Sequence, residues 1–285
     1  MSRVKPPKSE VKTTSLAAFA SQLRAWRLRA GWTQVELGQK MGNSASLISG
    51  VESLDKPPTA EFARACDAAF GTPGFDDAAG MPGTFVTLYE LVAREAYPAF
   101  FAPVVPFERE AVRIHGWELG AIPGLLQTEE YARAMITSGR PNDSGEAVDR
   151  LIAARMDRQA ILGGEHPPML WYVIDEGVLR HVVGSRAVMA AQVDRLAGAA
   201  GMPGTVIQVL PFTGDNHAGS DGPIAVYEFA AAPSVCYTEC YAGGRIVEAP
   251  AEVAHLMTVL NLIRASSLSP RESLELIRRI RSEIT

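Results

Sequence analysis

Three cysteines in 285 residues, Cys66, Cys236 and Cys240, are too few and too scattered for a disulfide scaffold. They suit a reducing compartment, and a cytoplasmic protein is expected. No apolar run approaches the roughly 18 residues of a membrane-spanning helix, so no membrane partner is expected. Residues 1–14 are polar and basic with no apolar segment behind them, so no signal peptide is expected either. Glycine (25) and proline (19) are too few for a collagen-like or low-complexity chain. GxSxG, P-loop and GxGxxG motifs are all missing. With 47% hydrophobic and 21% charged residues, wholesale disorder is excluded, and the length fits one large or two ordinary domains.

Lysine is also missing from the whole chain beyond Lys56. The net charge of −5 therefore hides an asymmetry. Residues 1–64 hold ten basic and five acidic side chains, a local balance of +5, which leaves −10 for the remainder. A basic head on an acidic body points to a polyanionic partner for the head.

Residues 1–14 read as a flexible basic arm whose Lys5, Lys8 and Lys12 are placed for phosphates or a minor groove. Leu16, Phe19, Ala20, Leu23 and Ala30 recur at helical spacing, and Gly31 ends that helix. Thr33 and Glu36 form a capping box for a short second helix that stops at Gly42. Asn43 or Ser44 caps a third helix through Val51, and Thr59 caps a fourth that ends near Gly71. Trp26 and Trp32 read as core of this small domain. Gly/Pro clusters at 71–74 and 80–83 mark a boundary, followed by a helical linker with Phe85, Leu88 and Val92.

Further on, helices are expected at 128–136, 147–162 and 185–200, and strands at 169–174, 206–210, 224–229 and 235–241. Two helices close the chain, the second opened by Ser269-Pro270-Arg271-Glu272. Its stripe of Leu274, Ile277, Ile280 and Ile284, flanked by Arg271, Arg278, Arg279 and Arg281, fits either a dimer interface or packing on its own sheet.

The strongest signal is the second and third helices together. Leu37 and Ile48 must meet across their turn, and Gly42 must be small or left-handed for a steep crossing. The candidate DNA-binding residues are Arg24, Arg27, Thr33, Gln34, Lys40, Asn43, Ser44, Ala45, Ser46, Ser49, Gly50 and Lys56. Gln34, at a helix start, is placed for a phosphate. Ala45, Ser46, Ser49 and Gly50 take the groove-facing positions, a thin readout because serine discriminates poorly between bases.

The stretch GWTQVELGQKMGNSASLISGVES, with LRAWRLRAG before it and KPPTAEFARACDAAFG after it, resembles the phage-repressor-like (Cro/C1, or XRE) helix-turn-helix family. WELGAIPGLLQTEEYARAMI and LVAREAYPAFF resemble the C-terminal domain behind such motifs in Scr1-type, antitoxin-like regulators of filamentous actinobacteria. That resemblance implies a homodimeric transcriptional regulator binding double-stranded DNA, with a small protein encoded beside it as a further partner. In these motifs Ile122, Leu125, Leu126, Tyr131 and Met135 read as core.

Other constellations carry less. Cys236 and Cys240 share a strand face but lack companion ligands, and read as two reduced core cysteines. The histidines show no metal spacing. Asp175-Glu176 reads as an acidic pair at a helix start, and 214–222 as a polar loop.

The fold class expected is mixed: an all-α helix-turn-helix domain of four to five helices, then a larger α+β domain with a small, mainly antiparallel sheet and terminal helices. The domains expected are an arm at 1–14, the helix-turn-helix domain at 15–80, a helical linker at 81–110 and a sensing and dimerisation domain at 111–285. No catalytic residue, metal or cofactor is expected. The competing reading is a small-molecule-binding or enzymatic C-terminal domain with an autoregulatory helix-turn-helix, which a polar pocket with perturbed carboxylates at 165–245 would favour.

Overall fold

The computed structural model describes residues 15–72, 82–97, 100–212, 217–240 and 243–284. The basic arm at 1–14 lies outside the described residues. The chain divides into two units, Met1–Ala96 and Tyr97–Thr285.

The first unit contains α1 (Ser15–Arg29), α2 (Gln34–Met41), α3 (Ala45–Glu52), α4 (Ala60–Phe70) and α5 (Thr84–Ala96). Their ends follow the capping chemistry. Thr33 and Glu36 make the reciprocal capping box of α2, while Ser44 and Thr59 cap α3 and α4. Gly42 and Gly71 stop α2 and α4 at φ 64° and 59°, where a side chain would be strained. Phe19, Leu23, Leu37, Ile48 and Val51 are wholly buried. Aromatic contacts extend this core: Phe85 lies edge-on to Phe19 at 5.4 Å, and Trp32 stacks on Phe70 at 5.4 Å.

Helix α5 corrects the expected linker. It packs on α1 and α4 and belongs to the first unit. The cause is Asp67, fully buried on α4. Its carboxylate accepts from Phe85 N at 2.8 Å, from Val86 N at 2.9 Å and from the Thr72 hydroxyl. A buried carboxylate thus satisfies the free amides at the start of α5 and favours its dipole. Sequence periodicity marked α5 as a helix but held no sign of this long-range cap.

The second unit runs α6 (Val104–Glu110), β1 (Arg113–Glu118), α7 (Glu129–Gly139), α8 (Gly145–Arg158), β2 (Met169–Asp175), α9 (Glu176–Arg180), α10 (Arg186–Ala199), β3 (Thr205–Leu210), β4 (Ile224–Glu228), β5 (Val235–Cys240), β6 (Gly243–Val247), α11 (Pro250–Ser266) and α12 (Pro270–Glu283). The sheet order is β3-β2-β1-β4-β5-β6. β1, β2 and β3 are mutually parallel, and β1-β4, β4-β5 and β5-β6 are antiparallel. Three of five pairings are therefore antiparallel, within the expected α+β class. β1 and β6 were not anticipated: glycines at Gly116, Gly243 and Gly244 dilute their strand signal.

Alternation puts Ile114, Leu170, Tyr172, Ile174, Ile207, Val209, Tyr227 and Tyr237 on one sheet face, under α6, α7, α10 and α12. Trp117, Val173, Ile224, Val226, Cys236 and Val247 line the other, under α11. On that side buried His115 lies 2.9 Å from Glu228 Oε1 through Nε2. Arg264 of α11 donates to His115 Nδ1 at 2.8 Å and stacks 4.2 Å from the Trp171 ring. Since arginine only donates, Nδ1 accepts and Nε2 carries the proton toward Glu228. Burial lowers the His115 pKa and helps keep the ring neutral. The network ties α11 to β1.

Asp175 caps α9 by accepting from Gly177 N, and Glu176 is buried, accepting from Arg180 and Phe212 N. This acidic pair serves structure, as expected of a helix start. Cys236 is buried but Cys240 is exposed, which corrects the pair of core cysteines: their shared face runs off the covered part of the sheet.

The α12 stripe resolves toward packing. Leu276, Ile277 and Ile280 are buried, and Ser273 Oγ accepts from Val209 N at 2.9 Å. Ile277 and Ile280 of the stripe face α10 and β3 of its own unit, as the packing alternative expects, while Leu274 and Ile284 are half-buried. Truncation before Ser269 is expected to unfold the second unit, because it strips cover from β3 and leaves the Val209 amide unpaired. Loss of near-UV circular dichroism and aggregation in sedimentation would show this. A soluble, folded product would contradict it.

Candidate nucleic-acid interface and interior cavity

The helix-turn-helix geometry starts at Gly38. A Cβ there would stand 2.6 Å from Asn43 O, so only glycine lets α2 and α3 cross this closely. Gly42, expected to be either small or left-handed, has open space around it and takes the left-handed alternative, at φ 64°. Leu37 and Ile48 meet beneath the crossing, both wholly buried.

The predicted site residues fall into two groups. Arg24, Lys40 and Lys56 are exposed and none joins an ion pair among the described residues. Lys40 Nζ lies 4.6 Å over the Trp32 ring, which steadies its stem while the charge faces water. Thr33, at the start of α2, and Ser44 and Ser46, at the start of α3, are exposed, and Asn43, Ala45 and Ser49 are half-buried. Ser44 is committed as the cap of α3, accepting from Leu47 N at 3.2 Å, and Asn43 donates to Met41 O at 3.0 Å.

Three residues are placed elsewhere. Arg27, only 8% exposed, makes a bidentate pair with Glu52, at 2.6 Å from Nε and 2.8 Å from Nη2, and also donates to Trp32 O. Gln34 Nε2 donates to the same carboxylate at 2.9 Å, which engages its side-chain amide within the unit. Gly50 is buried beneath the Lys56 side chain, whose Cδ would lie 3.0 Å from an added Cβ, so it does not face a groove. Sequence spacing read Arg27 and Gln34 as surface groups because Glu52, their partner, is remote in the chain. Burial would raise the Glu52 pKa, but hydrogen bonds from Arg27 and Gln34 outweigh it and hold the carboxyl below its ordinary value. The pair is therefore intact at neutral pH.

The second unit contains a feature the sequence did not reveal, a cavity of about 320 Å³ on the tyrosine-bearing sheet face. Glu118, Arg155, Arg158, Tyr237 and Glu239 line it. Arg158 makes a buried bidentate pair with Glu108, at 2.7 Å from both Nε and Nη2. Burial, with Glu239 nearby, pushes the Glu118 carboxyl up to about 8, against the smaller pull of Arg155 and Arg158. Burial and the Arg158 charge draw the Arg155 guanidinium down to about 10. Alternating strand positions 116 and 118, then 237 and 239, would have placed these groups on one face had β1 been recognised. Among the described residues no cluster of three or more potential metal ligands occurs.

Comparison with known families places both units. A helix-turn-helix domain matches residues 18–78, and a domain of unknown function, DUF5753, matches residues 101–279. No curated protein and no solved structure matches the chain.

Two outcomes check this geometry. Arg27→Met, which strands Glu52 in the interior, is expected to cost the first unit about 3 kcal/mol. Lys40→Ala is expected to stay within about 0.5 kcal/mol. Urea unfolding of the full chain compares them, and equal costs would contradict the inward placement of Arg27. The raised Glu118 pKa means the folded second unit prefers the protonated form. Its contribution is fully present below about pH 4.5 and is lost as pH rises through about 8. Glu118→Gln is therefore expected to remove that loss and to stabilise this unit relative to the parent more at pH 8 than at pH 5, measured by thermal unfolding at both values.

Proposed function

The chain belongs to the DUF5753 family, here behind a helix-turn-helix domain, and from that pairing we infer that it is a sequence-specific DNA-binding transcriptional regulator and not an enzyme. The observation that carries this is the exposed start of α3 behind the close α2–α3 crossing. The serine-rich start of α3 faces outward there, and the same unit bears the exposed cations Arg24, Lys40 and Lys56. Such a pair seats its second helix in the major groove while surrounding cations meet phosphates. The regulator is of the XRE, antitoxin-like kind. One helix pair reads few base pairs, so tight binding calls for a homodimer on two half-sites. The second unit dimerises and senses a small protein partner or a ligand. Its cavity supports a sensing role over dimerisation alone. Among the described residues no helix is long and apolar enough to cross a membrane.

Fluorescence anisotropy with duplex DNA at several salt concentrations tests this. Lys40→Ala or Lys56→Ala is expected to reduce the steepness of log K against log salt by about 0.9 each. Ser46→Ala is expected to leave that slope unchanged and to alter the preference between duplex sequences. Equal loss on every sequence from Ser46→Ala would contradict a groove-facing α3.

A further inference from the structure

The cavity has a specific construction. Two strand glycines make room on the sheet, since the Tyr172 ring lies 2.4 Å from where a Cβ of Gly116 would stand, and Tyr237 Oη 2.1 Å from a Cβ of Gly244. Any side chain at either glycine would force a ring to move. The apolar part of the lining includes Phe100, Phe101, Ile136 and Leu151. The volume suits a small organic molecule.

Its polar groups are unequally satisfied. Arg158 is fully paired with Glu108. Arg155 donates to the neutral amide oxygen of Gln127 at 2.9 Å and has no ion-pair partner among the described residues. Tyr237 is 4% exposed, and its buried Oη has no hydrogen-bond partner there. Glu239, exposed two residues on, acts electrostatically on that phenol and on Arg155, without closing a full hydrogen bond to Oη or an ion pair with the guanidinium. A recessed guanidinium and an orphaned hydroxyl are both costly unless an acceptor meets them. Glu118 does not fill that role: raised to about 8, it stands mostly as the neutral acid at pH 7 and presents a proton.

We propose that this cavity binds a small monocarboxylate with an aromatic or aliphatic body, its carboxylate on Arg155, with Tyr237 Oη as a further donor. The body packs against Phe100, Phe101, Ile136 and Leu151. Charge-assisted bonds to a carboxylate are the strongest that such donors make, and they convert an unpaired cation into a paired one. Any effect of the bound acid on DNA rests on the sensing role proposed above; binding itself does not depend on it.

Isothermal titration calorimetry on the full chain tests this with phenylacetate, 4-phenylbutyrate and octanoate, each beside its primary amide. At least one acid is expected to bind with 1:1 stoichiometry, and its amide about tenfold or more weakly. Arg155→Met is expected to abolish the preference for acid over amide, and Tyr237→Phe to weaken the acid several-fold. Leu151→Trp fills the apolar end with Arg155 intact, and is expected to abolish binding even if Arg155→Met fails to fold. No binding by any acid up to about 10 mM, equal binding by the amide, or unchanged binding in folded Arg155→Met or Leu151→Trp would overturn the proposal. Duplex binding measured on the same preparation separates the two claims: DNA bound without any acid overturns the ligand alone, and an acid bound without DNA overturns the regulator alone.

Discussion

The Arg27–Glu52 ion pair sets the outward geometry of the first unit. Its two bonds join α1 to the end of α3, a third from Arg27 holds the Trp32 carbonyl, and Gln34 brings the start of α2 to the same carboxylate. Three helices thus meet at one carboxylate, with the Trp32 turn tied in through Arg27, and the angle at which α3 leaves the domain is fixed at its base. Coulomb attraction alone would not justify burying both charges. The shared hydrogen bonds do, because each oxygen and most of the guanidinium donors are met. With that knot in place, Gly38 permits the close crossing, and the serine-rich start of α3 is left exposed on a unit that also carries the exposed cations Arg24, Lys40 and Lys56.

The second unit uses its sheet in a different way. One face is closed by α11, pinned through His115 and Arg264. The other is covered by α6, α7, α10 and α12 but keeps a pocket where tyrosines lie over strand glycines. The pocket sets a charge-paired Arg158 with Glu108 beside Arg155, whose hydrogen-bond partner is the neutral Gln127 amide.

Much of the first unit was legible because its helix ends are written locally. Thr33 with Glu36, Gly42, Ser44, Thr59 and Gly71 each act within a few residues of where they stand. What escaped was long-range. Asp67 caps α5 across 18 residues of sequence, and Glu52 recruits Arg27 across 25 and Gln34 across 18, partners that no local pattern displays. In the second unit the four strands rich in β-branched and aromatic residues were readable, whereas glycine hid β1 and β6. The cavity is lined from β1, β2, β4 and β5, and with β1 unread the place of Glu118 in it was not legible. The α12 stripe was readable as apolar, but periodicity says nothing of what covers a stripe, and here the cover is the chain's own β3 and α10.

Selection of duplexes from a random-sequence library by the full-length protein tests the central claim most directly. A homodimeric helix-turn-helix regulator is expected to enrich one sequence, with two related half-sites whose centres lie about one helical turn, roughly 10 base pairs, apart or a multiple of that. Recovery of no enriched sequence at a salt concentration that still permits binding would contradict it.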